Sequence, residues 1–264
     1  MSAIPPDKYR GFIVDIDGVL VRGAEPVLGA AEALSRLSER GHVVLLSNNA
    51  TRTRRAIAER LRSLGFEVNA DMVVNSASIV AARLKQEMGP ATVVMIGETG
   101  LRQELELAGH AIVEPDDADV VVTGMDRELT YGKLADALRA LVRGARYVAT
   151  NADATFPTPD GPTPGAGAIV GALRGMGFPP QQIVGKPSVT AFEIAMETLG
   201  IDEPSRCLVI GDRMETDIEG ALNAGCDAAL VLTGVTECPP DERDVIRPTL
   251  IADGLAELVQ GFPS

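Results

Sequence analysis

The sequence is poor in residues that mark several classes of protein. It has no Trp, only 3% aromatic residues and three cysteines, whose spacing fits neither a zinc site nor a disulfide framework. A core with so few rings must be built from Val, Ile, Leu and Ala, which favours close-packed α/β layers. Since the cysteine usage fits a reducing compartment and the opening residues hold no apolar signal segment, we predict a cytoplasmic protein.

Positive charge is also scarce. The chain has 24 Lys and Arg against 37 Asp and Glu, a net charge of -13, which argues against the basic patch that nucleic acid or an anionic membrane needs. No apolar stretch is long enough to span a bilayer. We therefore predict neither nucleic acid nor membrane as a partner. A small anionic substrate stays open, because a phosphate needs only local cations, a metal or helix N-termini.

The familiar catalytic motifs of other enzyme classes are missing. The two histidines, His42 and His110, both lie near predicted strand starts, so a histidine base is not favoured. The chain has neither HExxH nor GxSxG, which leaves metalloproteases and serine hydrolases without support. The glycine-rich run at 165–171 has the wrong spacing for a dinucleotide site and follows no strand, so we predict a structural loop there.

Strands and helices alternate in the first and last parts of the chain. Three apolar runs, GFIV, HVVLL and CLVI, predict buried parallel strands that stop near Asp15, Ser47 and Asp212. Helices are predicted at 27–40, 52–64 and 215–224. Because ligands bind at the carboxyl ends of parallel strands, we expect the three polar residues to converge.

A second alternation lies between these parts. The runs TVVMI, ADVVVT and RYVAT predict strands of another α/β unit inserted into the first. We therefore predict a core domain at 1–78 and 182–264 and an inserted domain at 79–181, a division that the length of 264 residues allows. The stretch 151–171 is rich in Pro and Gly and predicts an irregular loop.

Four aspartates form the candidate chemistry of the first unit. Asp15 and Asp17 follow a strand two residues apart, a spacing that suits a nucleophile and a general acid/base, although an acidic turn explains the motif equally well alone. Mg²⁺ prefers oxygen ligands, and Asp15, the Asp17 carbonyl and Asp212 can supply half an octahedron. We predict Asp217 behind them as an outer partner, with a helix-dipole role as its alternative.

Phosphate and substrate contacts come from other segments. Ser47 and Asn48 lie between a strand and a helix, where their polar groups can hold a phosphate or simply cap the helix. Lys186 can neutralise the phosphoryl group, or be an ordinary solvated lysine. Asn151 and Asp153 are candidates for contact with a substrate hydroxyl, with turn residues as the alternative.

These motifs resemble those of a known family. Asp15 and Asp17, then Ser47, Lys186 and the run GDRMETD occur in the order of the four motifs of the haloacid dehalogenase-like phosphatases. The run SNN and the long insertion between the second and third motifs resemble the subfamily of p-nitrophenyl phosphatases, phosphoglycolate phosphatases and nucleotide monophosphatases. The resemblance covers nearly the whole chain.

The resemblance implies a Rossmann-like parallel-sheet core with a mobile inserted α/β cap that selects the substrate. It implies Mg²⁺-dependent hydrolysis of a small phosphorylated metabolite through a phospho-aspartate on Asp15, with Asp17 as acid/base. Ser47 and Lys186 would hold the phosphate, and Asp15, Asp17 and Asp212 the metal. Relatives often pair through their caps, so a homo-oligomer of this kind is compatible with it, although the oligomeric state stays open.

Other functions remain as alternatives. A phosphotransferase or phosphomutase would use the same intermediate and pass the phosphoryl group to an alcohol. A signalling receiver also phosphorylates a strand-end aspartate, but there the acceptor follows an earlier acidic pair, unlike Asp15. A non-catalytic acidic binding module would make every motif coincidental.

Overall fold

The computed structural model describes residues 3–5, 7–158, 160–241 and 244–262. The chain forms two compact units. We call them the core unit (Met1–Ser47, Arg55–Val74 and Lys186–Ser264) and the inserted unit (Asn48–Arg54 and Asn75–Gly185). The segment Asn48–Arg54, which lies outside the predicted insertion at 79–181, thus belongs to the inserted unit. That the two units act as catalytic core and cap stays a prediction.

The strands and helices alternate through most of the chain. The strands are β1 (Gly11–Asp15), β2 (Val21–Arg22), β3 (Glu25–Pro26), β4 (His42–Ser47), β5 (Val73–Asn75), β6 (Thr92–Ile96), β7 (Ala111–Ile112), β8 (Val120–Thr123), β9 (Arg146–Ala149), β10 (Thr155–Thr158), β11 (Gly161–Pro164), β12 (Gln182–Ile183), β13 (Cys207–Gly211), β14 (Asp227–Val231) and β15 (Leu250–Ala252). The helices are α1 (Ala30–Ser38), α2 (Arg54–Ser63), α3 (Ser76–Met88), α4 (Thr99–Leu107), α5 (Tyr131–Val142), α6 (Ala166–Gly175), α7 (Val189–Leu199), α8 (Glu219–Asn223) and α9 (Leu255–Leu258).

The sheet of the core unit has the order β15-β14-β13-β1-β4-β5. The pairings from β15 to β4 are all parallel, and every residue of β1 and β13 is buried, as expected for strands covered on both faces. One apolar cluster joins β1, β4 and β13 to α1, α2 and α9. The predicted Rossmann-like parallel core is confirmed, and the carboxyl ends of β1, β4 and β13 lie at one edge.

Two helices of the core unit differ from their predicted bounds. The helix predicted from residue 27 begins at Ala30, because Gly29 has φ 73°, a left-handed conformation that a helix does not contain. The helix predicted at 215–224 is divided into a π-helical turn (Met214–Ile218) and the short α8. In that turn the side chain of Asp217 accepts the N–H of Arg213 at 3.2 Å.

The inserted unit is a second parallel α/β layer, as predicted. Its sheet has the order β12-β9-β8-β6-β7 with parallel pairings throughout. Buried side chains of β6, β8 and β9 pack against α5 and α6. Apart from Tyr147, the buried residues of this cluster are Val, Ile, Leu and Ala, as predicted for a core with few aromatic rings.

The segment Asn48–Arg54 is bonded into the inserted unit at several points. The N–H of Gly100 donates to the carbonyl of Thr51 at 3.2 Å, and the Asn75 amide donates to the carbonyl of Arg52 at 2.8 Å. Arg54 Nε pairs with Glu104 Oε2 at 2.9 Å, and Glu104 is 3% exposed. A Cβ on Gly100 would lie 2.5 Å from the Arg52 backbone, so only glycine allows this contact.

The irregular loop predicted at 151–171 is wrong for most of the residues described from 155 onward, and residue 159 lies outside the described residues. The structure has an antiparallel hairpin of β10 and β11, followed by α6, whose first turn contains part of the glycine-rich run. Proline is tolerated here because a two-stranded sheet consists only of edge strands. Gly167 is needed for close packing rather than for a loop, since its N–H donates to the Asp153 carbonyl at 2.9 Å and a Cβ there would lie 2.6 Å from the Ala152 oxygen.

The cysteines and the helices bear on the predicted compartment. Cys207 and Cys226 are buried, Cys238 is exposed, and all three are free thiols. In the part of the chain that the structure describes, no helix combines the length and the apolar character needed to cross a bilayer. Location in the cytoplasm stays a prediction.

Candidate active site

A cluster of buried charged residues lies at the carboxyl edge of the core sheet. Asp15 is the last residue of β1, Ser47 ends β4, and Asp212 directly follows β13. Lys186 precedes α7, and Asp217 lies in the π-helical turn after β13. Their exposed fractions are 8% for Asp15, 4% for Ser47, 5% for Lys186 and 1% for each of the other two aspartates. The convergence of strand ends expected from the sequence is confirmed.

Lys186 joins two of these aspartates. Its Nζ donates to Asp15 Oδ1 and to Asp217 Oδ1, each at 2.6 Å. Burial acts to lower the pKa of Lys186, but the two carboxylates more than offset this and raise the pKa above its ordinary value. Lys186 is therefore a buried ammonium and not the solvated surface lysine considered as its alternative.

The charges of this cluster do not balance. Burial raises the pKa of Asp15 well above its ordinary range, and repulsion from Asp217 and Asp212 adds to this effect while Lys186 opposes it. Burial also raises the pKa of Asp212. Several carboxylates grouped with one ammonium carry an excess of negative charge, which a divalent cation would neutralise.

Asp212 offers an oxygen to such a cation. Its Oδ2 accepts the N–H of Val235 at 2.6 Å, whereas Oδ1 is buried and has no hydrogen-bond partner among the residues that the structure describes. A buried carboxylate oxygen without a partner is energetically unfavourable. Carboxylate oxygens of Asp15, Asp212 and Asp217 lie within 4.8 Å of one another. This all-oxygen donor set fits Mg²⁺.

Asp217 is engaged through both oxygens. Oδ1 accepts from Lys186, and Oδ2 accepts the N–H of Arg213 at 3.2 Å and the Thr216 hydroxyl at 3.4 Å. A Cβ on Gly211 would overlap the Asp217 side chain, so glycine is required at the end of β13. The bond from Lys186 favours the predicted outer position, and the bond from Arg213 is the helix-terminus contact of the alternative interpretation.

The two carboxylates of the DxD motif have different environments. Asp15 is buried, whereas Asp17 is exposed beyond the end of β1 and its backbone bridges to Val21. Between Asp17 and the following strand, Gly18 has φ 94°, and a Cβ there would overlap the Asp212 carboxylate. Neighbouring carboxylates in unlike surroundings can take unlike catalytic roles.

The remaining predicted residues form a separate group in the inserted unit. Asn48 Nδ2 donates to Asp153 Oδ1 at 3.4 Å and Oδ2 at 3.3 Å, and Asn151 Nδ2 donates to Asp153 Oδ2 at 2.7 Å. The sequence predicts that Asn48 binds the phosphate and that Asn151 and Asp153 contact the substrate. The structure connects all three through one carboxylate, a contact that the sequence did not predict.

The turn after β14 was also missed by sequence reasoning. Its residues Thr233, Gly234 and Val235 all contact Asp212 or Gly18. A usable signal was present, because the residues after the strand DAALVL must lie at the same sheet edge as Asp212 if all strands are parallel.

Comparisons with known proteins agree with this geometry. A family model described as haloacid dehalogenase-like hydrolase matches residues 12–111, and a second, HAD-hydrolase-like, matches 183–258. The 5'-nucleotidase YutF of Bacillus subtilis is 36% identical, over 95% of this chain and 98% of that protein.

Solved structures are similar over nearly the whole of this chain. A p-nitrophenyl phosphatase from Archaeoglobus fulgidus has a TM-score of 0.87 and 37% identity, over 95% of this chain and 98% of that one. A glycerol phosphate phosphatase from Mycobacterium tuberculosis, solved with magnesium, has a TM-score of 0.87 and 35% identity, over 97% of this chain and 78% of that one.

The chain therefore belongs to the haloacid dehalogenase-like hydrolases. Within this class it is a phosphoric monoester hydrolase similar to p-nitrophenyl phosphatases, which confirms the predicted type of enzyme.

Proposed function

We propose that this enzyme hydrolyses a small phosphorylated metabolite with the help of Mg²⁺, through a phospho-aspartate on Asp15. One observation carries the proposal. Lys186 bridges Asp15 and Asp217 beside a buried Asp212 oxygen that has no hydrogen-bond partner among the described residues. This arrangement combines a fixed carboxylate nucleophile, a cation for the phosphoryl group and a donor set for a divalent metal.

Asp15 attacks phosphorus with one carboxylate oxygen, and the bond from phosphorus to the ester oxygen breaks. Lys186 holds the carboxylate in position. Asp17 donates a proton to the departing alkoxide, which leaves as an alcohol. In the second step Asp17 takes a proton from water, the water oxygen attacks phosphorus, and inorganic phosphate and the Asp15 carboxylate are released. The exposure of Asp17 supports this role, since it must exchange protons with solvent and the leaving group.

Ser47 and Lys186 donate hydrogen bonds to the phosphoryl oxygens in this proposal. Asp15, the backbone carbonyl of Asp17 and Asp212 would hold the metal, with Asp217 behind them. When bound, Mg²⁺ neutralises charge on the phosphoryl oxygens and the carboxylates. Magnesium in the structure of the similar glycerol phosphate phosphatase supports this choice of cation.

The inserted unit acts as the cap that selects the substrate. The names of the similar proteins range over nucleotides, glycerol phosphate and p-nitrophenyl phosphate, which supports a small phosphomonoester as the class of substrate. Asn151 and Asp153 contact the substrate only if they break some of the hydrogen bonds that link Asp153 to Asn151 and to Asn48. Pairing of two copies through the cap stays a prediction.

The test is release of inorganic phosphate from p-nitrophenyl phosphate and a panel of phosphometabolites, with Mg²⁺ or with EDTA. Asp15→Asn should lower kcat by about 10⁴-fold because it removes the nucleophile. Asp126→Asn is the matched control, since Asp126 is also 8% exposed, lies near the end of a parallel strand and pairs with Lys133. It should keep wild-type activity.

Equal activity of Asp15→Asn and wild type, or activity unchanged by EDTA, would contradict the mechanism. Glycerol or a sugar added as acceptor separates hydrolysis from transfer. We expect inorganic phosphate as the phosphorylated product, and a phosphorylated acceptor would instead favour the phosphotransferase or phosphomutase alternative.

A further inference from the structure

We propose that the turn at 232–236, which follows β14, positions the metal ligands of the core unit and makes Thr233 a determinant of Mg²⁺ affinity. This inference rests on the proposed function and adds positioning residues that the catalytic motifs do not include. We call residues 232–236 the positioning turn.

The positioning turn binds Asp212 through both its side chain and its backbone. The N–H of Val235 donates to Asp212 Oδ2 at 2.6 Å, and the N–H of Thr236 donates to the Asp212 carbonyl at 3.1 Å. The first bond fixes the rotation of the carboxylate. It leaves Oδ1 as the oxygen that has no protein partner among the described residues and that can face a cation.

The same turn also binds the loop that follows β1. The hydroxyl of Thr233 donates to the Gly18 carbonyl at 2.6 Å, and Arg22 Nε donates to the Thr233 carbonyl. Gly18 directly follows Asp17, whose carbonyl is a proposed metal ligand. The positioning turn is therefore bonded to both segments that supply ligands, one after β1 and one after β13.

Gly234 sets how closely the turn approaches. A Cβ at this position would overlap the Asp212 carboxylate. The requirement at Gly234 is thus one of space, and the backbone of the turn lies directly against the ligand that it orients.

This arrangement matters because Mg²⁺ demands near-ideal octahedral geometry with short bonds to oxygen. Groups that orient metal ligands from behind typically change metal affinity by about 10–100-fold when removed. The Thr233 hydroxyl fixes the distance between the two ligand-bearing segments, and the Val235 N–H fixes which oxygen of Asp212 is presented.

The test is calorimetric titration of Mg²⁺ into the full-length enzyme without substrate. Thr233→Val removes the hydroxyl at nearly constant shape and should weaken Mg²⁺ binding by about 10–100-fold. Thr233→Ser keeps the hydroxyl and should bind as the wild type does. Thr198→Val is the control, because the Thr198 hydroxyl donates a similar bond to the Ile194 carbonyl at 2.8 Å in α7, away from the metal ligands.

Activity provides a second readout. In Thr233→Val the Mg²⁺ concentration for half-maximal phosphate release should rise by the same factor, while kcat at saturating Mg²⁺ stays within about threefold of wild type. If Thr233→Val does not fold, Thr233→Ala, which removes the same hydroxyl without a branched side chain, is titrated in its place.

Wild-type affinity for Mg²⁺ in a folded Thr233→Val or Thr233→Ala variant would overturn the positioning role and leave the proposed function intact. Loss of affinity in Thr233→Ser as well would assign the effect to general disruption, which also overturns it. Absence of Mg²⁺ binding in the wild type would overturn the inference and the proposed function together.

Discussion

The core unit and the inserted unit both carry acidic residues that are buried or half-buried, but these residues are paired with cations differently in the two units. In the inserted unit each of three acidic residues has its own cation. Glu98 pairs with Arg127 at 2.6 Å, and Asp126 pairs with Lys133 at 2.8 Å. The third pair is Glu104 with Arg54, at 2.9 Å. In the core unit Asp15, Asp212 and Asp217 are grouped with the ammonium of Lys186.

The difference shows which feature of buried acids is informative. Asp15 and Asp126 are equally buried, at 8% exposure, so burial alone does not separate the proposed nucleophile from a carboxylate in an ordinary ion pair. Two features do separate them: the excess of negative charge around Asp15, and the Asp212 oxygen that has no hydrogen-bond partner among the described residues. Both are unfavourable in a folded protein unless a bound ligand compensates for them. Removing a charge from this cluster should therefore affect catalysis, whereas removing one from the three ion pairs of the inserted unit should affect stability alone.

The largest effect is expected from Lys186→Met. The change leaves buried carboxylates without their ammonium and should lower kcat by about a thousandfold. In EDTA it should also lower the free energy of unfolding by about 3–5 kcal/mol, the usual effect of breaking a buried ion pair. Lys133→Met is the counterpart in the inserted unit. It should leave kcat unchanged, because neither Lys133 nor Asp126 belongs to the proposed catalytic residues. Asp126 still accepts the N–H of Glu128 in this variant. Near-wild-type kcat in Lys186→Met would remove the proposed role of this lysine.

Addition of Mg²⁺ should stabilise one unit only. At 100 times its dissociation constant a ligand that binds only the native state adds about 2.7 kcal/mol to the free energy of unfolding. Hydrogen exchange followed by mass spectrometry should show protection in peptides from 207–236 and little change in peptides from 92–149. Equal protection in both regions would place the cation elsewhere or show that it binds without preference.

Asp153→Ala tests the network of the inserted unit. It removes the acceptor for Asn48 and Asn151, and Asn48 directly follows the proposed phosphate ligand Ser47. The loss of hydrogen bonds worth about 1.4 kcal/mol should raise the KM for p-nitrophenyl phosphate by about tenfold. Asp153→Asn retains one acceptor and should have a smaller effect. Asp136→Ala, which removes an exposed partner of Arg139, is the control and should leave KM unchanged.

The smallest effect concerns the ion pair of Glu98. The hydrogen bond from Arg127 lowers the pKa of Glu98 below its ordinary value of 4.5. A lowered pKa means that the pair stabilises the folded state above pH 4.5 and that this stability is lost as the pH falls through the folded-state pKa. Glu98→Gln should therefore reduce stability by at most about 1 kcal/mol at pH 7. In urea unfolding the difference from wild type should shrink on acidification, and a difference that grows would refute this origin.

Sequence reasoning predicted which strand ends converge in the core unit because local patterns determine them. Apolar runs identify buried parallel strands, and parallel strands bring their ends to one edge, which predicts that Asp15, Ser47 and Asp212 converge. The burial of Lys186 depends on tertiary packing, and only its place in the family motifs pointed to its importance. The bond between Asn48 and Asp153 joins residues 105 positions apart, and no local pattern reports it.

Secondary structure was misjudged where tertiary contacts override local preference. Pro and Gly usually interrupt regular structure, yet β10 and β11 pair as a hairpin, since both are edge strands and edge strands tolerate proline. The Asp217 side chain accepts the N–H of Arg213 where an α-helix was expected to begin, and the helix begins there as a π-helical turn. Gly234 carries no local signal, since its role is to leave room for Asp212.

The segment Asn48–Arg54 bears on how relatives of this enzyme can exchange their inserted units. A gene fragment that encodes only 75–185 omits this segment. In a chimaera built from that fragment, the buried Glu104 has an ion-pair partner only if the recipient protein has an arginine at position 54. It also requires the recipient backbone at 51–52 to fit against Gly100. The transferable module is therefore encoded in two pieces, and successful recombination must carry both.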